Sequence, residues 1–170
     1  MSQSPVGDLT AKGYEPPRNV QFSIFLDNRV GKLFELLEIF DEPDMRIVAI
    51  SIADSADYAV VRLVTNHSNH ARKLLRSHQV PYSESEILVV ELGKGQKLTK
   101  LCMHLLSAEI NIHYAYPLMV RPHGAATIAI HTDDQLLAGQ ILRRKLFNLL
   151  GERDLSDHPS FGDSFGPTEN

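Results

Sequence analysis

The sequence predicts an α+β fold of two tandem βαββαβ units, each an antiparallel sheet with both helices on one face. Three observations predict it. Apolar residues follow a period of two and then of 3.6 in the order strand, helix, strand, strand, helix, strand, and the order then starts again. The apolar positions of the first half recur in the second: an offset of 65 carries Lys32-Leu33 onto Lys97-Leu98, Leu36 onto Leu101 and Ile47 onto Ile112. An offset of 67 then carries Thr65 onto Thr132, Ala71 onto Ala138, Leu74 onto Ile141 and Arg76 onto Arg143. The change of two residues falls between the second and third strands, in a loop, where insertions are tolerated.

Residues 1–18 hold Pro5, Gly7, Gly13, Pro16 and Pro17 among few apolar residues, and are expected to form a flexible tail with Tyr14 resting on the body. The first unit is expected over 19–84. Val20 to Leu26 reads as a strand, with Phe22, Ile24 and Leu26 on one face and Ser23 and Phe25 on the other. A polar turn follows, and Leu33, Leu36, Leu37 and Phe40 then form one helical stripe, which Asp41-Glu42-Pro43-Asp44 ends. Met45 to Ile52 and Tyr58 to Thr65 read as strands around a hairpin-length connection, Asp54 to Asp57. Thr65 or Asn66 is the expected cap of a second helix with the stripe Ala71, Leu74, Leu75 and His78. Val80-Pro81-Tyr82 is expected as a short edge strand, where a proline loses no ladder bond.

The second unit is expected over 85–153. Ile87 to Leu92 is its first strand, Gly93 to Gln96 its turn, and Leu98, Leu101, Cys102 and Leu105 its first stripe. Ile110 to Tyr116 and Ala125 to Thr132 are strands, separated by a longer connection with Pro117, Pro122 and Gly124. Asp133 or Asp134 caps a helix whose inner face carries Ala138, Ile141 and Leu142, and Phe147 to Leu150 is a last short strand. Residues 154–170 are expected to be a flexible tail, polar from Ser156 onward.

Composition excludes several function classes. With 43% hydrophobic and 22% charged residues a core is within reach and global disorder is not expected. A net charge of -4 argues against a general nucleic-acid binder, which needs a basic face. No stretch approaches the ~20 apolar residues of a membrane span, and the N-terminus lacks a secretory pattern. The single cysteine, Cys102, allows no intrachain disulfide, which fits a reducing, cytoplasmic compartment; its place on a helical stripe predicts a buried thiol. Gly93 to Lys97 is not a Walker phosphate loop, and no Gly-x-Ser-x-Gly elbow occurs. His67 and His70 lie one turn apart without further ligands, and His104 and His113 meet only if the fold brings them together. Tyr114 and Tyr116 share a strand face, as in base-stacking modules, but without the basic companions; they are expected as contacts at a sheet edge or subunit interface with paired hydroxyls. Catalytic residues, a metal and a cofactor are not expected.

The stretch with the most binding chemistry is Asp27-Asn28-Arg29-Val30-Gly31-Lys32-Leu33. A strand, a polar turn with glycine and a helix start turn several backbone N–H groups toward one spot, which suits a small carboxylate. Gly31 allows close backbone approach, and Asp27 or the Asn28 carbonyl suits an ammonium group. A plain capped connection is the alternative reading of the same residues.

A repeat of this length and order, with Phe25 to Leu33 as its opening and Ala108-Glu109-Ile110-Asn111-Ile112 as its passage from helix into second strand, resembles the ACT domain. The resemblance covers about residues 20 to 152. It implies a ferredoxin-like fold and a regulatory module that binds an amino acid between two ACT units, near the first turn of one and the second strand of the other. The implied ligand residues are Asp27, Asn28, Val30, Gly31, Ile47, Gly95, Asn111 and Ile112. Gln96 stands where the first unit has Gly31, and Leu92 where it has Asp27, so the better site is expected at the first turn. The Asn-x-x-Gly-x-Leu turn is similar to that of the regulatory small subunit of acetolactate synthase, from which a tandem pair departs. The implied partners are a small amino acid, branched-chain as a working expectation, a second copy in a homodimer, and a biosynthetic enzyme. A purely structural assembly module without a ligand is the alternative.

Overall fold

A computed structural model describes residues 15–55 and 57–156. The expected resting place of Tyr14 and most of both expected tails lie outside the described residues. The elements run β1 (Asn19–Asp27), α1 (Lys32–Glu38), β2 (Ile47–Asp54), β3 (Tyr58–Thr65), α2 (Ser68–Ser77), β4 (Ser83–Leu92), α3 (Leu98–Leu106), β5 (Ile112–Pro117), β6 (Ala126–Thr132), α4 (Gln135–Arg144), β7 (Asn148–Leu150) and α5 (Glu152–Ser156). The order is βαββαβ twice, with the middle strand counted in both units.

That shared strand is the main departure from the sequence expectation. β4 is one continuous strand: Ser83 to Ile87 pair antiparallel with β1, and Leu88 to Leu92 pair with β6. The sheet order is β2-β3-β1-β4-β6-β5, with β7 also on β4, and all pairings are antiparallel. β4 therefore closes the first ferredoxin-like unit and opens the second. The expected edge strand at Val80-Pro81-Tyr82 does not form. Gln79 turns the chain at φ 55°, Val80 N–H closes the end of α2 on the Leu75 carbonyl, and pairing with β1 begins only at Ser83.

The repeat recurs in individual bonds. Asn66 N–H donates to the Arg46 carbonyl while Asn66 Oδ1 accepts from Arg46 N–H; Asp133 N–H donates to the Asn111 carbonyl while Asp133 Oδ1 accepts from Asn111 N–H. Each clip ties the residue before a unit's second strand to the residue after its third. Pairing shifts register at Ile47/Ala49 and again at Ile112/Tyr114. Gln79 and Leu146 both take positive φ after α2 and α4, with Val80 and Phe147 N–H bonded to Leu75 and Leu142 carbonyls.

Three apolar clusters follow from strand alternation. Phe22, Ile24, Val61 and Leu63 meet Leu36 of α1 and Ala71 and Leu75 of α2. Leu88, Val90 and Ile130 meet Leu101 and Leu105 of α3 and Ala138 and Leu142 of α4. The third lies between the helix-free faces of the two units: Val48, Ala49 and Val64 from one, Tyr116, Leu118, Ala129 and Leu150 from the other, with Ile87 and Val89 at the fold line. The sheet curls about β4 so that these faces pack together, and the Met119 N–H bonds the Val48 carbonyl at 2.8 Å. Among the described residues, no helix is long and apolar enough to cross a membrane.

Smaller corrections concern helix ends. Cys102 is exposed, not buried: α3 inserts Leu101 and Leu105, and Leu98 and Cys102 fall at the margin of the stripe. α2 is capped from a distance. Its first amide, Ser68 N–H, donates to Glu152 Oε1 at 2.6 Å, and the Ser68 hydroxyl donates to Glu152 Oε2 at 2.7 Å. Glu152 belongs to α5, an element the periodicity did not reveal, whose Leu155 is wholly buried. Asp134 caps α4 as expected, accepting from Leu137 N–H at 2.9 Å. At the other end, Pro16 lies against Gly139 of α4, where a Cβ on the glycine would meet the proline ring at 2.6 Å.

Candidate functional site

The first turn stays open. Gly31 takes φ 90°, a left-handed conformation that glycine adopts without strain, and space for a Cβ lies empty around it. Arg29 N–H bonds the Asp27 carbonyl and Lys32 N–H the Arg29 carbonyl, which leaves the Val30 and Gly31 amides unpartnered among the described residues. The Asn28 amide donates to Asp54 Oδ1 at 3.1 Å and to the Ser55 carbonyl at 3.4 Å, so its own carbonyl oxygen is uncommitted. Asp27 pairs with Arg29 and Lys32 with Glu35, each at 2.6 Å and largely exposed. Beside the turn, on the helix side of β1, lies a cleft of about 320 Å³ whose wall includes Leu26, Asp27, Lys32, Glu35, Ile39 and Val80.

The second turn is closed by its own side chain. Gln96 Oε1 accepts from Gly93 N–H at 2.8 Å, and Gln96 Nε2 donates to the Leu146 carbonyl at 3.0 Å. The glutamine fills the turn and ties it to the segment after α4. Gly95 takes φ 78° and sits in this closed turn.

The remaining expected ligand residues are not gathered at the first turn within one chain. Ile47 starts β2 and packs in the first helix-side core, whereas the turn meets the other end of β2 through Asp54. Ile47 and Asp54 are seven steps apart along the strand, about 23 Å at ~3.3 Å per residue. Ile112 packs in the second helix-side core, and Asn111 is exposed with its backbone committed to the clip with Asp133. His104 meets Phe147 edge-on while His113 meets His131 edge-on, so those two histidines are engaged elsewhere. His70 pairs with Glu42 at 2.9 Å.

Sequence reasoning missed the polar cluster in the seam between the two units. Buried Gln21 accepts from the Tyr116 hydroxyl at 2.6 Å and donates to the Tyr114 hydroxyl at 2.8 Å. The tyrosine hydroxyls are paired, as expected of interface residues, but the interface lies inside the chain. The Arg62 guanidinium carbon sits 4.3 Å from the Tyr114 ring centre, and the His131 ring stacks on Tyr114 at 4.9 Å. Burial raises the Tyr116 phenol above its ordinary range, with neighbouring Tyr114 adding to the effect. Burial lowers His131, helped by His113 and Arg62, and its Nδ1 is buried without a partner among the described residues. The sequence signals were Tyr114 and Tyr116 on one strand face and Gln21, a polar residue between Val20 and Phe22.

Residues 19–158 match the family model described as an ACT domain pair. Among solved structures, a protein of Bacteroides thetaiotaomicron is similar with a TM-score of 0.72 and 23% identity, covering 84% of this chain and 99% of that one. The regulatory subunit of aspartate kinase from Thermus thermophilus, in its ligand free form, has a TM-score of 0.51 and 10% identity, covering 76% and 93%. Aspartokinase alpha and beta subunits have a TM-score of 0.50 and 12% identity, covering 78% and 99%. At these identities the likeness is one of fold. The search of curated proteins found no significant match.

Proposed function

This chain belongs to the ACT domain pair family, and from that premise we propose that it is a non-catalytic regulator that binds a small amino acid and modulates a partner enzyme of amino-acid biosynthesis. The observation that carries the reading is the open first turn. A ligand carboxylate takes the unpartnered Val30 and Gly31 amides and the Lys32 ammonium, and its own ammonium takes Asp27 and the Asn28 carbonyl. The two ion pairs now in place are exposed and contribute about 0–1 kcal/mol each, so a ligand displaces them readily. The adjoining cleft accepts a small aliphatic side chain, branched-chain as the working choice. Ile47 lies at the far end of β2, and Asn111 and Ile112 belong to the clip and helix-side core of the second unit, so they do not complete this site in one chain. In this reading a second copy supplies them across a homodimer interface between ACT units, while Gly95 belongs to the closed turn and contributes least. The exposed Cys102 thiol fits a reducing, cytoplasmic setting.

The test is a thermal-shift screen of the full chain against the twenty amino acids. A ligand at ~100 times its dissociation constant adds about 2.7 kcal/mol. A shift confined to one chemical group of amino acids, and lost in Gly31→Val, supports the reading. No shift with any amino acid overturns it in favour of assembly without a ligand.

A further inference from the structure

One row of side chains crosses the inner face of the first unit. Ser51 of β2, Arg62 of β3, Ser23 of β1 and Ser83 of β4 are successive cross-strand partners. Directly paired residues share a face, so three hydroxyls line up with one guanidinium. That face is the one away from the helices, because Val61 and Leu63 on either side of Arg62 belong to the helix-side core. The guanidinium is held in place by the Tyr114 ring, which is itself fixed by the Gln21 bond and the His131 stack.

Arg62 is half-buried, yet none of the ion pairs formed by the described residues includes it. Half-buried cations are ordinarily matched by an anion, since the charge has given up part of its water. On the side away from Tyr114 the sheet face becomes apolar. Val60 pairs with Phe25 and Ala53, and Phe25 (62% exposed) lies 5.9 Å from the ring of Tyr58 (46% exposed). The guanidinium thus stands within a hydroxyl row and beside an aromatic shelf.

We propose that this row is a second binding site, distinct from the first turn, that takes a small organic carboxylate carrying an apolar body. The planar guanidinium matches a carboxylate with two parallel N–H donors, the Ser23 and Ser51 hydroxyls donate to its remaining lone pairs, and the body lies on Phe25, Val60 and Tyr58. The first-turn cleft lies largely on the opposite, helix-side face of β1 and shares Phe25 with the shelf, while the hydroxyl row and the guanidinium lie outside it. Inorganic phosphate shares the anion chemistry of the row but gains nothing from the shelf.

Titration of the isotope-labelled full chain with phenylacetate, acetate and inorganic phosphate, followed by amide NMR, tests the site. Phenylacetate is expected to move the amides of Ser23, Ser51, Arg62 and Ser83 without moving Gly31 or Gly95, and to bind more tightly than acetate. Arg62→Gln is expected to weaken binding roughly tenfold or more, the loss of a charge-assisted bond. Arg62→Lys is expected to fall between, because a point charge lacks the fork. Ser51→Val, which leaves the Arg62–Tyr114 contact alone, weakens binding in a folded protein and covers the case in which Arg62→Gln loosens the seam. Unchanged affinity in both Arg62→Gln and Ser51→Val, perturbations elsewhere only, or phosphate binding without phenylacetate binding overturns the proposal.

Discussion

The first and second turns occupy equivalent places in two copies of one unit, yet they use their backbone amides differently. Around Gly31 the amides of Val30 and Gly31 have no partner among the described residues; around Gly95 the Gln96 side chain takes the Gly93 amide and reaches the Leu146 carbonyl. Both copies keep the clip at the second strand, the register shift beside it and the positive-φ exit from the second helix. What the copies share holds the fold; the two turns differ in how a loop satisfies its amides. A side chain that satisfies a turn from within makes it a structural corner, and a glycine in the same place leaves the donors for something else.

The largest effects test whether the halves are one cooperative body. Leu36→Ala and its counterpart Leu101→Ala each remove a buried side chain from a helix-side core, and each is expected to cost about 2–5 kcal/mol by urea unfolding. Because β4 belongs to both units, either substitution should lower a single transition. Two separate transitions would break the view of one body joined through a shared strand. The seam comes next. Tyr116→Phe removes the hydroxyl bond to Gln21 and leaves a buried amide oxygen without its donor, an expected loss of about 1–3 kcal/mol.

Exchanging the turns sharpens the comparison directly. Gly31→Val puts a β-branched residue at φ 90°, a strain of about 1–3 kcal/mol, and should abolish the amino-acid response. Gln96→Ala removes two exposed or half-buried bonds at about 0.5–1.5 kcal/mol each and leaves the response intact. A response lost in Gln96→Ala and kept in Gly31→Val would reverse the assignment of the working turn.

Much of the fold was legible because the repeat doubled every signal: a stripe at Leu33, Leu36 and Leu37 gained weight from one at Leu98, Leu101 and Cys102. The shared strand was not, because Ser83-Glu84-Ser85-Glu86 is polar on both faces. Its strand character comes from pairing with β1 and from the Arg72–Glu84 ion pair on the helix side, not from alternation. Arg72 holds the Glu84 carboxyl below its ordinary range, with contacts at 2.6 and 2.8 Å. The open turn was legible from Gly31 alone. Closure of the other turn was not, since it needs the Leu146 carbonyl, 50 residues away, turned by a positive φ. The seam was hidden for a related reason. Gln21, Tyr114 and Tyr116 alternate with apolar residues as a solvent-facing strand side does, and only the curl of the sheet turns that side inward.

The smallest expected effect separates the inner seam from the outer cores by pH. The helix-side clusters are built from apolar side chains, and His104 meets the second of them edge-on at Phe147. His131 lies in the seam with its folded pKa lowered, first by burial, then by His113 and Arg62. A group with a depressed folded pKa contributes stability above its unfolded value, ~6.5 for histidine, and loses it as the pH falls through the folded value. Protonation there places a charge on the Tyr114 ring that also carries Arg62, and beside His113, with Tyr114 at 4.9 Å and His113 at 5.4 Å from the His131 ring. Unfolding free energy is therefore expected to decline between about pH 7 and 5, more steeply in wild type than in His131→Gln. The slope of Leu101→Ala should stay that of the wild type, because its cavity lies on the far side of the sheet. A His131→Gln slope equal to the wild-type slope would move the acid-sensitive step out of the seam.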